Sequence, residues 1–189
     1  ECSMPATSSK ANDTRGLAGQ TVGDTSVCSV NQTQLIYRGY EIADLAAHAT
    51  FEEVAFLLLV GHKPSAAELA EFDAEIKDNR AVSDDILDVI QAVSAGPDIH
   101  PMSILRTGVS LVSHADPECE DNSADAEHRK SVRLLAKIPT LIGACQAARD
   151  GRDRVQPDAS MSHAANLLWL MTGQKPTELA AKVVDVSLI

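Results

Sequence analysis

Aromatic side chains are scarce in this chain: one Trp, two Tyr and three Phe make up 3% of its 189 residues. A core must therefore be aliphatic, and there is little material for platforms on which nucleic-acid bases could stack. Cationic charge is also short. Sixteen Lys and Arg stand against 27 Asp and Glu, a formal net charge of −11. That balance excludes a general hold on a phosphate backbone and attraction to an anionic membrane surface. An anionic small molecule could be held only by a local group of Arg, Lys or helix N-termini. The four cysteines, at 2, 28, 119 and 145, form no C-x-x-C pair, so neither a zinc ribbon nor a dense disulfide framework is indicated. No apolar run approaches the ~20 residues of a membrane-spanning helix, and the first residues lack the charged-then-apolar pattern of a secretory signal. The expectation is a soluble protein of a reducing compartment, the cytoplasm. No nucleophile elbow, phosphate-cradling Gly loop, H-E-x-x-H or dinucleotide fingerprint occurs.

What the chain does have is aliphatic. Apolar residues make up 44% of it, with Ala and Leu prevailing over β-branched runs, which favours helices. Residues 1–15 are small and polar, the composition of a disordered arm, and 16–189 read as one domain with a genuine core. Alternation between Thr21 and Tyr37 (Val22, Val27, Val30, then Leu35 to Tyr37) predicts a small hairpin around Asn31-Gln32. Arg38-Gly39 then closes a strand on a turn. Helical spacing follows from Glu41 to His48. Thr50 stands three residues before Glu53, a capping box that starts a second helix, apolar nearly all round through Val60 and stopped by Gly61. Ser65 and Glu68 form another box, opening a helix to about Asn79. Further helices are predicted from Ser83 to Gly96-Pro97, from Pro101 to His114, from Ala126 to Asp150 with a bend at Pro139, from Ser160 to Thr172 and from Thr177 to Ile189. In the helix at 126–150, Leu134, Leu135, Ile138, Leu141, Ile142 and Cys145 are expected on one face, with Cys145 a small buried hydrophobe. The stripe Leu179, Val183, Val186 and Ile189 runs to the last residue with no Gly, basic turn or polar tail after it, as though the helix were unfinished.

Candidate chemistry is thin. His114, Asp116, Cys119 and Asp121 lie close in sequence, but their mixed ligands match no zinc or calcium spacing, so a solvated acidic loop over 116–125 is the simpler reading and no metal is expected. His48 and His62 flank the second helix, where a partial positive charge suits a helix end. His100 precedes one helix, His163 lies in the first turn of another, and His128 sits in the long one; none lies in a catalytic motif. Arg129, Arg133 and Lys137, with Lys130 beside them, put a positive stripe on one helix face. A phosphate-bearing ligand or acidic partner could use it, although a solvated face is the commoner case. Trp169, among Leu167, Leu168, Leu170 and Met171, suits a core or an interface better than a stacking platform.

The segment YRGYEIADLAAHATFEEVAFLLLVGHKP, residues 37–64, resembles the N-terminal part of the citrate synthase family, which includes citrate synthase and 2-methylcitrate synthase. GLAG at 16–19 is similar to the family's start, and HPMSILRTGVS at 100–110 to its HPM-x-x-x-R-T segment. AKIPTLIGA at 136–144 and SHAANLLWLMTG at 162–173 are similar to two of its long helices. The resemblance implies an all-α, multi-helix portion of the family's large domain with a small N-terminal β-hairpin. It implies an acyltransferase that joins acetyl-CoA, or propionyl-CoA in 2-methylcitrate synthase, to oxaloacetate. In that reaction a carboxylate removes a proton alpha to the thioester, one histidine stabilises the enol, and a second donates a proton as the enol attacks the ketone. No permanently bound cofactor is implied; the acyl-CoA is a substrate. A homodimer is implied, through the helices near 126–150 and 160–172. The family's catalytic histidines, its aspartate and its oxaloacetate-binding arginines follow the equivalent of Ile189. No catalytic residue is therefore expected within these 189 residues, and activity is expected only of a longer protein. The alternative is a non-catalytic helical module that uses the same surfaces to dimerise or bind a partner.

Overall fold

The computed structural model describes residues 23–31, 33–96 and 99–189. The predicted disordered arm at 1–15, the segment 16–19 and Gln32 lie outside the described residues. A small antiparallel sheet comes first, with β1 (Cys28–Val30), β2 (Leu35–Tyr37) and β3 (Tyr40–Glu41) in that order. The register pairs Val30 with Leu35 and Cys28 with Tyr37. Asn31 holds the connection: its side-chain oxygen accepts from the amides of Thr33 (2.9 Å) and Gln34 (2.8 Å). The third strand was not foreseen. It exists because Arg38 and Gly39 both take positive φ, 45° and 90°, the conformation a two-residue hairpin turn requires.

Eight helices then follow among the described residues, and six of them open on a side-chain cap. They are α1 (Ile42–His48), α2 (Phe51–Val60), α3 (Ala66–Asp78), α4 (Asp84–Ser94), α5 (Pro101–His114), α6 (Ala124–Arg149), α7 (His163–Thr172) and α8 (Glu178–Leu188). Both expected capping boxes form. At α2 the Glu53 amide donates to Thr50 Oγ1 (3.3 Å) while Glu53 Oε2 accepts from the Thr50 amide (2.7 Å), and Ser65 and Glu68 repeat the arrangement at α3. Gly61 ends α2 in the left-handed conformation at φ 102°. Two starts shift. Ser123 caps α6 and Ser162 caps α7, each accepting from the amide three residues on. So α6 begins two residues before Ala126, and α7 begins at His163 rather than Ser160.

The 26-residue α6 is the axis of the molecule, packed against α3, α4, α5 and α7, while α8 leans on α7 and α2. The six larger apolar residues expected on one face of α6 share it and line two apolar hollows, but burial is not confined to that face. Val132, Ala136, Pro139, Thr140, Leu141, Gly143, Ala144, Cys145 and Ala147 are all buried, because helices contact it from several sides and its small residues admit them. One apolar cluster joins Leu87, Ile90, Ile104, Val112, Leu141, Ala144 and Cys145 across α4, α5 and α6; another joins Ala55, Phe56, Phe72, Ile76, Val132 and Ala136 across α2, α3 and α6. Helix α2 is apolar nearly all round, which predicts burial on every side, but its end is not covered. Val54, Ala55, Phe56 and Leu57 are buried, but Leu59 and Val60 are 36% and 40% exposed, since no described element covers that last turn. Among the described residues no helix is long and apolar enough to cross a membrane.

Candidate functional site

A buried polar arrangement lies where α2, α7 and α8 meet the end of α3. Each of two helices begins on a carboxylate supplied by another. Asp185 of α8 accepts from the Phe51 amide at the start of α2 (3.0 Å), and Glu52 of α2 accepts from the His163 amide at the start of α7 (2.7 Å). An anion at a helix N-terminus meets unpaired amides and the positive end of the dipole. Asp185 also takes Lys182 (3.1 Å). His163 stacks on Phe51 with ring centroids 4.7 Å apart. Burial first, then the nearby Arg80 charge, push its pKa down to about 4, so it is neutral at pH 7. Arg80, 1% exposed, follows α3 and donates to the carbonyls of Asp158 (2.7 Å) and Met161 (3.0 Å), while its own carbonyl accepts from Thr140 Oγ1 (2.7 Å). Asn166 receives the Asp158 amide (2.9 Å). The cluster pins the 150–162 connection and two helix starts together. Its pairing is incomplete: Arg80 Nε and Nη2, His163 Nδ1 and Asn166 Nδ2 are buried with no hydrogen-bond partner among the described residues. The cleft beside it, about 410 Å³, is lined by Ala66, Leu69 and Ala70 together with Thr50, Glu52, Asp73, Lys77 and Ser162, and Lys77 bonds Asp73 at 2.6 Å.

The positive stripe of the long helix is not an anion site. Arg133 bonds both oxygens of Asp116 (2.7 Å each) and reaches Glu118 (2.8 Å), and Arg129 bonds the other side of Glu118 (3.1 Å). Lys130 bonds Glu127 (2.7 Å) and the Asp121 carbonyl (2.6 Å). Lys137 takes part in none of these contacts, and burial lowers its pKa. The acidic loop thus folds onto the stripe and neutralises it. The bonds from Arg129 and Arg133 hold Glu118 down to about 2, and those from Arg133 hold Asp116 below the usual carboxylate range. The same pairing engages part of the His114, Asp116, Cys119 and Asp121 group. Asp116 is occupied, Asp121 accepts from the Ser123 amide (2.8 Å), Cys119 approaches Glu120, and His114 is exposed in the last turn of α5. Among the described residues, no three His, Cys, Asp or Glu side chains group as a metal site.

Three of the four remaining histidines serve helix ends. His48 pairs with Asp44 in the last turn of α1 (3.1 Å), and His62 pairs with Glu68 of the α3 capping box (3.2 Å). His100 is the N-cap of α5, accepting from the Met102 amide (3.2 Å). His128 lies half-buried on α6. No two of the histidines are brought together as an acid–base pair. Trp169 is half-buried, and its indole N–H donates to the Gln156 carbonyl (2.8 Å), which makes it part of the packing that holds the 150–162 connection.

Two apolar hollows lie elsewhere among the described residues. One, about 320 Å³, lies between α5, α6 and α7 and is lined by Ile104, Leu105, Leu141, Ile142, Cys145 and Met171, with Met102 (63% exposed) at its rim. The other, about 410 Å³ and more open, is lined by Phe51, Leu58, Leu59, Leu134, Ile138 and Ile189 among others. Neither holds a pair of groups able to move a proton. The missed features, the carboxylate caps of α2 and α7, join residues 134 and 111 positions apart, a separation that no local pattern signals.

Comparison with known proteins gives this scaffold its relatives. The family model described as citrate synthase, C-terminal domain, matches residues 16–189. The citrate synthase of Deinococcus radiodurans is 37% identical over 181 residues, 95% of this chain and 48% of that protein. The 2-methylcitrate synthase of Shewanella oneidensis is 38% identical over 179 residues, 92% of this chain and 46% of that protein. The crystal structure of citrate synthase from Pyrobaculum aerophilum superposes with a TM-score of 0.84 at 28% identity, covering 91% of this chain and 45% of that one. The chain spans about half the length of the curated relatives it matches.

Proposed function

The chain belongs to the citrate synthase family, and from that premise we propose that it forms the leading half of an acyltransferase condensing acetyl-CoA with oxaloacetate to give citrate and CoA. A carboxylate takes the proton alpha to the thioester, and the enol attacks the oxaloacetate ketone. A histidine protonates the new alkoxide, and water cleaves the thioester to release CoA. None of those groups is assigned to this chain. Its own part is the packed frame: α6 with its neighbours, the paired loop at 116–121 and the buried cluster around Arg80. The observation that carries the reading is the match of 95% of the chain to 48% of a citrate synthase. The leading position rests on the likeness of 100–110, 136–144 and 162–173 to segments that precede the family's catalytic histidines. Self-association through 126–150 and 160–172 belongs to the same proposal, supported by the half-buried Leu134, Ile138, Ile142 and Met171 on those helices.

Propionyl-CoA as substrate is a second reading, favoured by the equally similar 2-methylcitrate synthase. Measuring CoA release from oxaloacetate with each thioester tests both. The 189 residues alone are expected to give none, and a protein extended by the family's other half is expected to turn over. Turnover by the 189 residues alone would overthrow the site assignment. An oligomeric, inactive extended protein would favour the non-catalytic module.

A further inference from the structure

The unpartnered nitrogens of the buried cluster belong to side chains that are almost wholly enclosed: Arg80, His163 and Asn166 are 1%, 4% and 0% exposed. The 158–162 segment draws them together. Arg80 Nη1 donates to the carbonyls of Asp158 and Met161, and Asn166 takes the Asp158 amide; His163 and Asn166 lie one turn apart on α7. Arg80 Nε and Nη2 form the side edge of the guanidinium, the fork with which Arg133 grips Asp116. Among the described residues no carboxylate takes the Arg80 fork. Glu52, itself 7% exposed, is half used: one oxygen accepts from the His163 amide, and the other meets no described donor.

The charge balance decides what kind of group fits the fork. Arg80 feels Asp73, Glu52 and Asp158, each already bonded elsewhere: Asp73 to Lys77, Glu52 to the His163 amide, Asp158 to Ser160. An anion on the fork would add a further negative charge to three acids that face only Arg80 and Lys77. A neutral acceptor meets no such opposition. If it also carries donors, it can serve Glu52 and His163, and water supplies both. The cleft brings solvent to this place. Glu52 lines it, and the α3 side chains on its wall, Ala66, Leu69, Ala70, Asp73 and Lys77, recur at the helical spacing that leads on to Arg80.

We propose that an internal water site joins the buried Arg80 to the buried Glu52. One water accepts from Arg80 Nε and Nη2 and donates to the second Glu52 oxygen and to His163 Nδ1; a neighbouring water takes the Asn166 Nδ2 donor. Four bonds lie within the range of roughly two to four that a buried water makes. The consequence reaches the imidazole. Donors outnumber acceptors around the site, and a proton on Nδ1 would point toward the guanidinium, so Nδ1 accepts and Nε2 carries the ring proton. Two opposite charges that are costly to bury apart are thereby coupled through one molecule.

Nitrogen-15 NMR of the imidazoles at pH 7, with a crystal structure of the 189-residue chain at a resolution that orders solvent, tests this. His163 is expected to be protonated on Nε2 alone, with a water within about 3.2 Å of both the Arg80 fork and His163 Nδ1. His163→Phe keeps a ring on Phe51 but offers no acceptor. It should lose this water, and oxygen-17 relaxation dispersion should count one long-lived water fewer. If His163→Phe fails to fold, the tautomer and the ordered solvent of the unaltered chain still decide. A proton on Nδ1, or the Glu52 carboxylate seated directly on the Arg80 fork, overturns the proposal. So does an unchanged count of long-lived waters in a folded His163→Phe. Crystals grown in bromide settle the remaining occupant: halide at the fork makes it an anion site and overturns the water bridge.

Discussion

At the scale of single residues, two charged groups decide what the acidic composition means. Arg133 bonds both oxygens of Asp116, and both side chains are largely withdrawn from solvent, 17% and 12% exposed. Removing one partner of such a pair leaves a poorly hydrated charge, so Arg133→Ala is expected to cost about 3 kcal/mol. R133M/D116L, which removes both charges, should recover most of it; urea denaturation of the two variants checks this. His163 gives a pH dependence. Its folded pKa, about 4, lies below the ordinary 6.5, so between those values the unfolded state binds the extra proton and stability rises with pH. The His163 contribution is complete above pH 6.5 and is lost as pH falls toward 4, a change of about 3 kcal/mol at most. His163→Phe, which keeps a ring on Phe51, should flatten the stability profile between pH 6.5 and 4. An unchanged slope would show that other groups carry it. Neither role was legible beforehand. The spacing of Arg129, Arg133 and Lys137 is correctly read as one face, but the acids that neutralise it come from a preceding loop whose fold no period announces.

At the scale of elements, the sequence was most readable where chemistry is local. Thr50 with Glu53, Ser65 with Glu68, and Gly61 each mark a helix boundary through bonds made within a few residues, and the structure forms them as written. The long helix shows the opposite. A search for one apolar stripe passes over Ala, Gly and Thr, yet those small residues let α7 approach α6. A Cβ on Gly143 would lie 2.6 Å from Leu170 Cβ and 3.1 Å from its backbone. Gly143→Ala gains roughly 1 kcal/mol of helix propensity but forces the two backbones apart, and overpacking costs about 1–3 kcal/mol. With backbone as the obstacle the upper end applies, so a net loss of about 2 kcal/mol is expected. Gly108 is the control. There the added Cβ meets only side-chain ends of Ile90 and Leu141, at 3.1–3.2 Å. These can rotate away, and Gly108→Ala should come out near neutral. Thermal unfolding of the pair separates backbone contact from side-chain contact.

At the scale of the whole molecule, order should decline from the axis outward. The middle of α6 is enclosed by four helices and carries most of its buried residues between Val132 and Ala147, whereas α8 has one buried residue, Asp185, and two helical neighbours. Local opening costs little where few apolar contacts are broken, and approaches global unfolding where a segment is enclosed. Native-state hydrogen exchange of the 189-residue chain is therefore expected to leave amides of 132–147 exchanging only through global opening. Those of 180–188 should exchange roughly a hundredfold faster or more. The α2 start should follow α8 rather than α6, since the Phe51 amide is held by Asp185 and is released when α8 lifts. Asp185→Asn should accordingly speed exchange at Phe51 while leaving 132–147 unchanged. Uniform protection across α6 and α8 would mean that the chain opens only as one unit, and that α8 does not mark the least stable edge of the frame.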